Sequence, residues 1–225
     1  MSKASNENLR QIYDQLVKSY DKANSIITLG NDMKWRIELI NLLSKYCKKP
    51  KIILDVGSGK GELTYIASKF FKTNIIQLDY SENMLKNSVI RENKILASFY
   101  NLPFKANSFD AVISGYSIHA ADDMEKVIKE ISRVTKRAVA ITAIGKPDNL
   151  ALREFLGIYI KYVQPYLVPL VGGKVSYYRY LIDIYNKIPT NSELKTILDK
   201  YFDIKVFKEK ALGSIYIFIG IKRIN

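Results

Sequence analysis

Three glycines in the run ILDVGSGKGELT (residues 53–64) stand at alternate positions, Gly57, Gly59 and Gly61, with Ser58 between the first two. That spacing lets a chain leaving a strand turn sharply and come close to a ligand at the carboxyl edge of a sheet. A dinucleotide fingerprint needs a third glycine where Glu62 stands here. Asp55 adds a carboxylate at the end of the strand, a poor neighbour for a pyrophosphate and a good one for an ammonium or sulfonium group. The pattern therefore favours S-adenosylmethionine (SAM) over a nicotinamide dinucleotide. Asp79 follows 24 residues after Asp55, at the end of the next apolar run, where a carboxylate can accept both hydroxyls of an adenosine ribose. Tyr80 could lie along the adenine, and Ser81 can cap the helix that follows. A glycine-rich turn alone marks any tight strand-to-helix connection. It is the order of strand, glycines, helix, strand and terminal acid that points to a nucleoside.

The elements that must position these residues are legible in the apolar pattern. Short runs rich in β-branched residues occur at 51–56, 74–79, 93–98, 109–114 and 137–143. Helical stretches separate them at 61–71, 81–90 and 122–134, the last opened by a possible Asp122–Glu125 capping box. This alternation predicts an α/β fold, a doubly wound, Rossmann-like and mostly parallel sheet with helices on both faces. Two helices precede it, one over 7–20 and one from Asp32, its expected cap, through Trp35, Leu39, Leu42, Leu43 and Tyr46 to Pro50. After Ala143 the alternation stops, and 148–188 reads as helices broken at Pro165, Pro169 and Gly172–Gly173. Seven tyrosines (159, 162, 166, 177, 178, 180 and 185) fall there, which suggests a lid with an apolar surface and wet edges. A Thr190–Glu193 capping box starts another helix, and strands at 202–210 and 214–223 are joined by so short a turn that they must be antiparallel. The chain thus reads as a single domain: helical cap 1–49, cofactor core 50–146, lid 147–189, and a helix with a β-hairpin at 190–225.

Composition narrows the function classes. The 225 residues include one cysteine (Cys47) and one histidine (His119), which excludes a disulfide framework and every multi-histidine or paired-cysteine metal centre. No metal is expected. No apolar run reaches the ~18 residues a membrane span needs, and the N-terminus lacks a signal-like apolar stretch. A cytoplasmic protein, with possible peripheral contact at a membrane, is the expectation. The net charge of +13 admits an anionic partner, but a Lys-, Ile- and Tyr-rich composition also fits a heat-adapted proteome.

The segments ILDVGSGKGELT, QLDYSENMLKNS, YNLPFKANSFDAV and EISRV together resemble the successive motifs of class I SAM-dependent methyltransferases. Beyond that core, YDKANSIITLGNDMKW (20–35) and the distal order YIKYVQPYL, YYRYL, Pro189, GSIYIFIGIK resemble the UbiE-like C-methyltransferases of menaquinone and ubiquinone synthesis. The likeness spans about residues 15–222. It implies SAM contacts at Thr64, Asp79, Ser98 and Phe99, and at Ser114 or Gly115, where relatives commonly have serine. The usual KPGG turn after RV is replaced by TKRA (135–138), which implies a shortened loop. His119, in YSIHA (116–120), falls where the family typically carries an arginine. An imidazole of ordinary pKa near ~6.5 could serve there as general base for a quinol hydroxyl, orient the substrate, or merely pack beside the pocket. Tyr20, Trp35 and Tyr116, with Phe155, Tyr159 and Tyr162 of the lid, are the expected substrate-side residues. The implied reaction is methylation of a ring carbon of a demethylmenaquinol-like isoprenoid quinol. Another apolar small molecule is the alternative substrate, and RNA a more remote one, since no appended RNA-binding module is apparent. Oligomeric state is left open.

Overall fold

The computed structural model describes residues 30–163, 166 and 175–223. The helix expected over 7–20, Tyr20, and the breaks at Pro165, Pro169 and Gly172–Gly173 lie outside the described residues. The first described helix, α1 (Asp32–Tyr46), buries Trp35, Leu39, Ile40, Leu42 and Leu43 along one stripe. Asp32 is not its cap. Asn31 holds the N-cap position without a side-chain bond, while the Asp32 carboxylate lies inside the first turn and accepts from Arg36 Nη1 at 2.7 Å.

Strand β1 (Ile52–Val56) leads through the glycine turn into α2 (Glu62–Phe70). There follow β2 (Asn74–Asp79), α3 (Glu82–Lys86), β3 (Lys94–Leu96), β4 (Phe109–Gly115), α4 (Met124–Val134) and β5 (Thr135–Ile144). The distal part comprises α5 (Leu150–Ile158), continued by a π-helical turn over Tyr159–Val163, then α6 (Val175–Lys187), α7 (Asn191–Asp199), β6 (Phe202–Lys210) and β7 (Ile215–Lys222). One seven-stranded sheet results, in the order β3-β2-β1-β4-β5-β7-β6. The first five strands run parallel and β7 runs antiparallel to both β5 and β6. The chain steps outward from β1 in one direction to β3 and returns to the other side with β4. The carboxyl ends of β1 and β4 therefore flank the crevice where such sheets bind ligands.

Three local expectations are corrected. Helix α3 stops at Lys86 rather than 90, because the buried Gln77 carboxamide captures the next residues, donating to the carbonyls of Ile90 and Glu92 and accepting from Ser88. Helix α4 is capped by Asp123, whose carboxylate accepts from Lys126 N at 2.9 Å; the Asp122 N–H instead donates to the Tyr100 hydroxyl. Residues 135–138 form no loop at all. Thr135 Oγ1 donates to the Ile131 carbonyl at 2.6 Å, covering the exposed end of α4 as the chain passes directly into β5.

Each face of the sheet has its own core. Leu54, Leu78, Val112 and Ile141 point to the side covered by α4 and α7, together with Phe109, Phe202 and Phe218. Ile53, Ile75, Ile113 and Ile217 point to the side covered by α1 and α2. This alternation along each strand is the period-two pattern of a sheet buried on both faces. Helix α7 starts on the expected box: the Thr190 N–H donates to Glu193 Oε2 at 2.7 Å and Thr190 Oγ1 accepts from Glu193 N. Thr190→Ala should remove about 1 kcal/mol of stability, measured as a lower urea midpoint at unchanged slope.

Candidate active site

The cofactor turn is built around groups that force its path. Gly57 lies at φ +67°, and a side chain there would collide with Ser117. Ser117 belongs to a hydroxyl clamp: its Oγ and that of Ser114 both donate to the Val56 carbonyl, at 3.0 and 2.8 Å. Gly61, at φ +80°, begins α2, and a Cβ there would meet Ser88 Oγ and Gln77 Oε1. The turn is thus pinned from β4 on one side and from β2 on the other. Asp79, at the end of β2, bridges across to it, accepting from Gly59 N at 2.8 Å through one oxygen and from Ser81 N at 2.8 Å through the other. Ser81 caps α3 as expected, its hydroxyl accepting from Met84 N.

Asp55 is wholly buried at the end of β1. Its Oδ2 accepts from Thr64 Oγ1 at 2.6 Å, and its Oδ1 has no partner among the described residues. Burial pushes its pKa up to about 7, against the opposing pull of the Thr64 hydrogen bond. Such an orphaned oxygen, aimed into a cleft, is a waiting acceptor for a cationic or N–H-bearing ligand.

The same cleft is lined by Gly57, Ser58, Gly59, Glu62, Leu63 and Gly115, and by Arg36. Arg36 is 3% exposed, paired with Asp32, and its guanidinium lies 4.8 Å from the centre of the Tyr116 ring. Tyr116 adopts φ +57°, a costly backbone for a bulky residue, and its N–H donates to the Thr142 carbonyl at 2.7 Å. Sequence reasoning missed Arg36. It precedes the glycine turn by 21 residues, and no spacing rule connects the two. The signal available was an arginine one helical turn after an aspartate, on the stripe that α1 buries. With Asp55 and Arg36 lining it and Asp79 bonded to its Gly59 N–H, the cleft offers a carboxylate for an ammonium, a guanidinium for a carboxylate, and a second carboxylate behind the turn.

The remaining expected residues separate into groups. Gly115 borders the cleft, whereas Ser114 is buried behind it in the hydroxyl clamp. Ser98 Oγ accepts from Tyr100 N at 3.3 Å, and Phe99 packs edge-on to Tyr100 beyond β3. Tyr80 is partly exposed beside Asp79. Trp35 packs in the core among Leu39, Ile66 and Ile113 rather than forming a wall of the cleft. On the π-helical turn after α5, Tyr159 turns inward to a groove shared with Ile144, Leu156, Ile160, Leu181 and Tyr185. Phe155 and Tyr162, each 57% exposed, face solvent, because the inward stripe is centred on 156, 159 and 160, about a quarter-turn round the helix from 155 and 162. His119 sits on a single 3₁₀ turn, Ile118–Ala120, after β4. It is buried, its Nδ1 has no partner among the described residues, and burial pulls its pKa down to about 4. The ordinary value expected from sequence therefore does not apply, and the ring stays neutral through the physiological range.

The profile of the ubiE/COQ5 methyltransferase family matches residues 1–222. The chain belongs to that family. A demethylmenaquinone methyltransferase of Bacteroides fragilis is 27% identical, covering 96% of this chain and 93% of its own. One from Geobacillus stearothermophilus is 26% identical over 99% of this chain and its own entire length. Among solved structures, a SAM-dependent methyltransferase of Thermotoga maritima, described as a possible histamine N-methyltransferase, superposes with a TM-score of 0.65 at 17% identity, covering 95% of this chain and 99% of that one; this likeness establishes the shared fold. The enzyme is a SAM-dependent methyltransferase, and its cleft fits that cofactor: the orphaned Asp55 oxygen, the glycine turn without side chains, and the buried Arg36 match the polar ends of SAM.

Asp55 holds its proton more tightly in the folded chain than in the unfolded one, so the free protein loses stability as pH rises from about 4 to about 7. Asp55→Asn should leave stability unchanged below that window and raise it above, by at most about 4 kcal/mol at 1.36 kcal/mol per pKa unit, as read from urea midpoints at pH 4 and 8. In the wild type, SAM affinity measured by calorimetry should weaken below pH 7 by up to about tenfold per unit, as the carboxylate that receives the ammonium is protonated. The variant should bind weakly at every pH. Arg36→Leu should weaken SAM binding at least about tenfold, the expected loss for one charge-assisted hydrogen bond in a buried site, and should keep the fall in affinity at low pH, because Asp55 is still present.

Proposed function

We propose that this methyltransferase alkylates a ring carbon of an isoprenoid quinol of the demethylmenaquinol type. The observation that carries this reading is the apolar groove beneath the lid helix. Its walls, Leu156, Ile160 and Tyr185, pack in one cluster with Ala120, the residue after His119. An apolar ring with a prenyl tail suits such a groove, and the relatives named above are demethylmenaquinone methyltransferases.

Bound SAM supplies a methyl group already made electrophilic by its sulfonium. The chain's own task is to hold the acceptor carbon in line and to exclude water. In this reading Asp55, Arg36, Thr64, Asp79 and the turn Gly57–Gly61 hold the cofactor; Ser58, Gly115, Tyr80, Ser98 and Phe99 complete its walls; Tyr159 and Tyr116 bound the substrate side. Electron density reaches the ring carbon when the neighbouring quinol hydroxyl gives up its proton. His119, neutral and with an unpartnered Nδ1, accepts a hydrogen bond from that hydroxyl and fixes the ring. With a pKa of about 4 against a phenol's ~10, orientation is its principal contribution; the hydroxyl proton would pass to solvent as the new C–C bond forms, and the ring carbon would then lose its own hydrogen as a proton while the oxygen regains one, a net release of one proton. A tailed quinol resides in a bilayer, so turnover also calls for contact with a membrane surface; no helix among the described residues is long and apolar enough to cross one.

Transfer of a labelled methyl group from SAM to a panel of demethylated quinols tests this assignment. Label on the ring carbon is expected, and transfer confined to another substrate class would refute it. His119→Ala should lower kcat about tenfold, the loss expected when one hydrogen bond that orients the substrate is removed, while SAM affinity holds. Unchanged turnover would remove His119 from the mechanism.

A further inference from the structure

Helices α1 and α2 form the outer layer on one face of the sheet, and their solvent side has an unusual composition. On α1 the outward stripe carries Met33, Lys34, Ile37 and Lys45, with Met33 45% and Ile37 40% exposed. On α2, and just beyond it, Tyr65, Lys69, Phe70 and Lys72 are exposed, and Tyr65 and Phe70 remain 46% and 45% accessible. Lys69 Nζ lies 5.0 Å from the Tyr65 ring centre. Large apolar side chains and lysines thus alternate on two adjacent helices.

No carboxylate among the described residues balances these charges. Of the acids on the two helices, Asp32 holds Arg36, Glu38 reaches Lys208 and Lys210 of β6, and Glu62 borders the cofactor cleft. Lys34, Lys45, Lys69 and Lys72 have no acidic partner in the described part of the chain. A solvated helix face is ordinarily laced with charges of both signs; this one is cationic and studded with hydrocarbon.

We propose that the outer face of α1 and α2 docks on an anionic lipid bilayer. Lysines attract the charged headgroups while Met33, Ile37, Tyr65 and Phe70 enter the boundary between headgroup and acyl chain, the pattern of helices that lie in a membrane interface. A nucleic acid would use the lysines and stack on the aromatic rings but would leave Met33 and Ile37 without a partner. The position of the face fits as well. Arg36 belongs to α1, and Gly61 and Glu62 open α2, so the two helices that carry this face also contribute residues to the cofactor cleft. The proposal rests on the quinol reading for its purpose, since that substrate lies in the membrane, but the face itself is defined by charge and exposure.

Sedimentation of the full chain with vesicles decides it. Wild type should partition at least tenfold more strongly onto phosphatidylcholine vesicles containing 30% phosphatidylglycerol than onto pure phosphatidylcholine, and the preference should fade at high salt. The quadruple variant Lys34→Glu, Lys45→Glu, Lys69→Glu, Lys72→Glu should lose at least tenfold of that binding, and Met33→Ser with Ile37→Ser severalfold. SAM binding by calorimetry should stay at the wild-type level in both, showing that they fold. Absent wild-type binding to the anionic vesicles, or variants that bind as well as wild type, would overturn the proposal. So would loss in these variants of self-association, or of oligouridylate binding, in a wild type that ignores vesicles. The kinetic arm separates the two claims: the variants should methylate a short-tail quinol in detergent normally and a long-tail quinol in anionic vesicles at least tenfold more slowly. If no quinol accepts methyl, the substrate reading fails while sedimentation still decides the docking face.

Discussion

A carboxylate wholly buried with one oxygen unpartnered among the described residues is the constraint around which this enzyme is arranged. Asp55 lies at the end of the central strand, one oxygen bonded to Thr64 and the other to nothing in the described chain. An uncompensated acid in such a place costs stability in proportion to its ionisation. It is tolerated because the adjoining strands and helices hold the cleft open rather than collapsing on it. The same desolvation that lifts the pKa of Asp55 makes it a strong partner for a cationic ligand once one arrives.

Rigidity around that acid comes from groups that look incidental. Ser114 and Ser117 tie the Val56 carbonyl to β4, and Gln77, buried in β2 alongside Asp55 in the ladder, fastens the segment 88–92 against the start of α2. The glycines provide room, but these side chains decide which of the paths open to glycine the turn takes. Arg36 completes the cleft from a helix that precedes the sheet, so the layer covering one sheet face also contributes to the site. The outside of that layer carries exposed lysines and apolar side chains.

The distal elements serve the other side of the crevice. Strand β7 inserts between β5 and β6, which carries Ser214 and Ile144 to the base of the groove that Tyr159 and Leu156 cover. Helix α5 and the turn that continues it have apolar residues on both their inward and outward sides, Tyr159 and Ile160 against Phe155 and Ile158. Periodicity alone could not choose between those sides, because a helix that is apolar around much of its circumference has no single buried stripe to read.

Much of the architecture was legible in the amino-acid sequence: the alternation of β-branched runs with helical periods, the glycine turn with Asp55, Asp79 at the next strand end, and the antiparallel pair at 202–223. These depend on neighbours close along the chain, through strand and helix periods, turn chemistry and loop length. Contacts between distant segments were decided only by tertiary structure. They include Arg36 entering a cleft formed 21 residues later, Gln77 shortening α3, Thr135 pairing with Phe109 in the sheet, Trp35 withdrawn into the core, and Phe155 and Tyr162 facing outward. The protonation of the single histidine belongs with them. A histidine has an ordinary pKa in any sequence, and only the packing around residue 119 strips away the water that would have kept its charge.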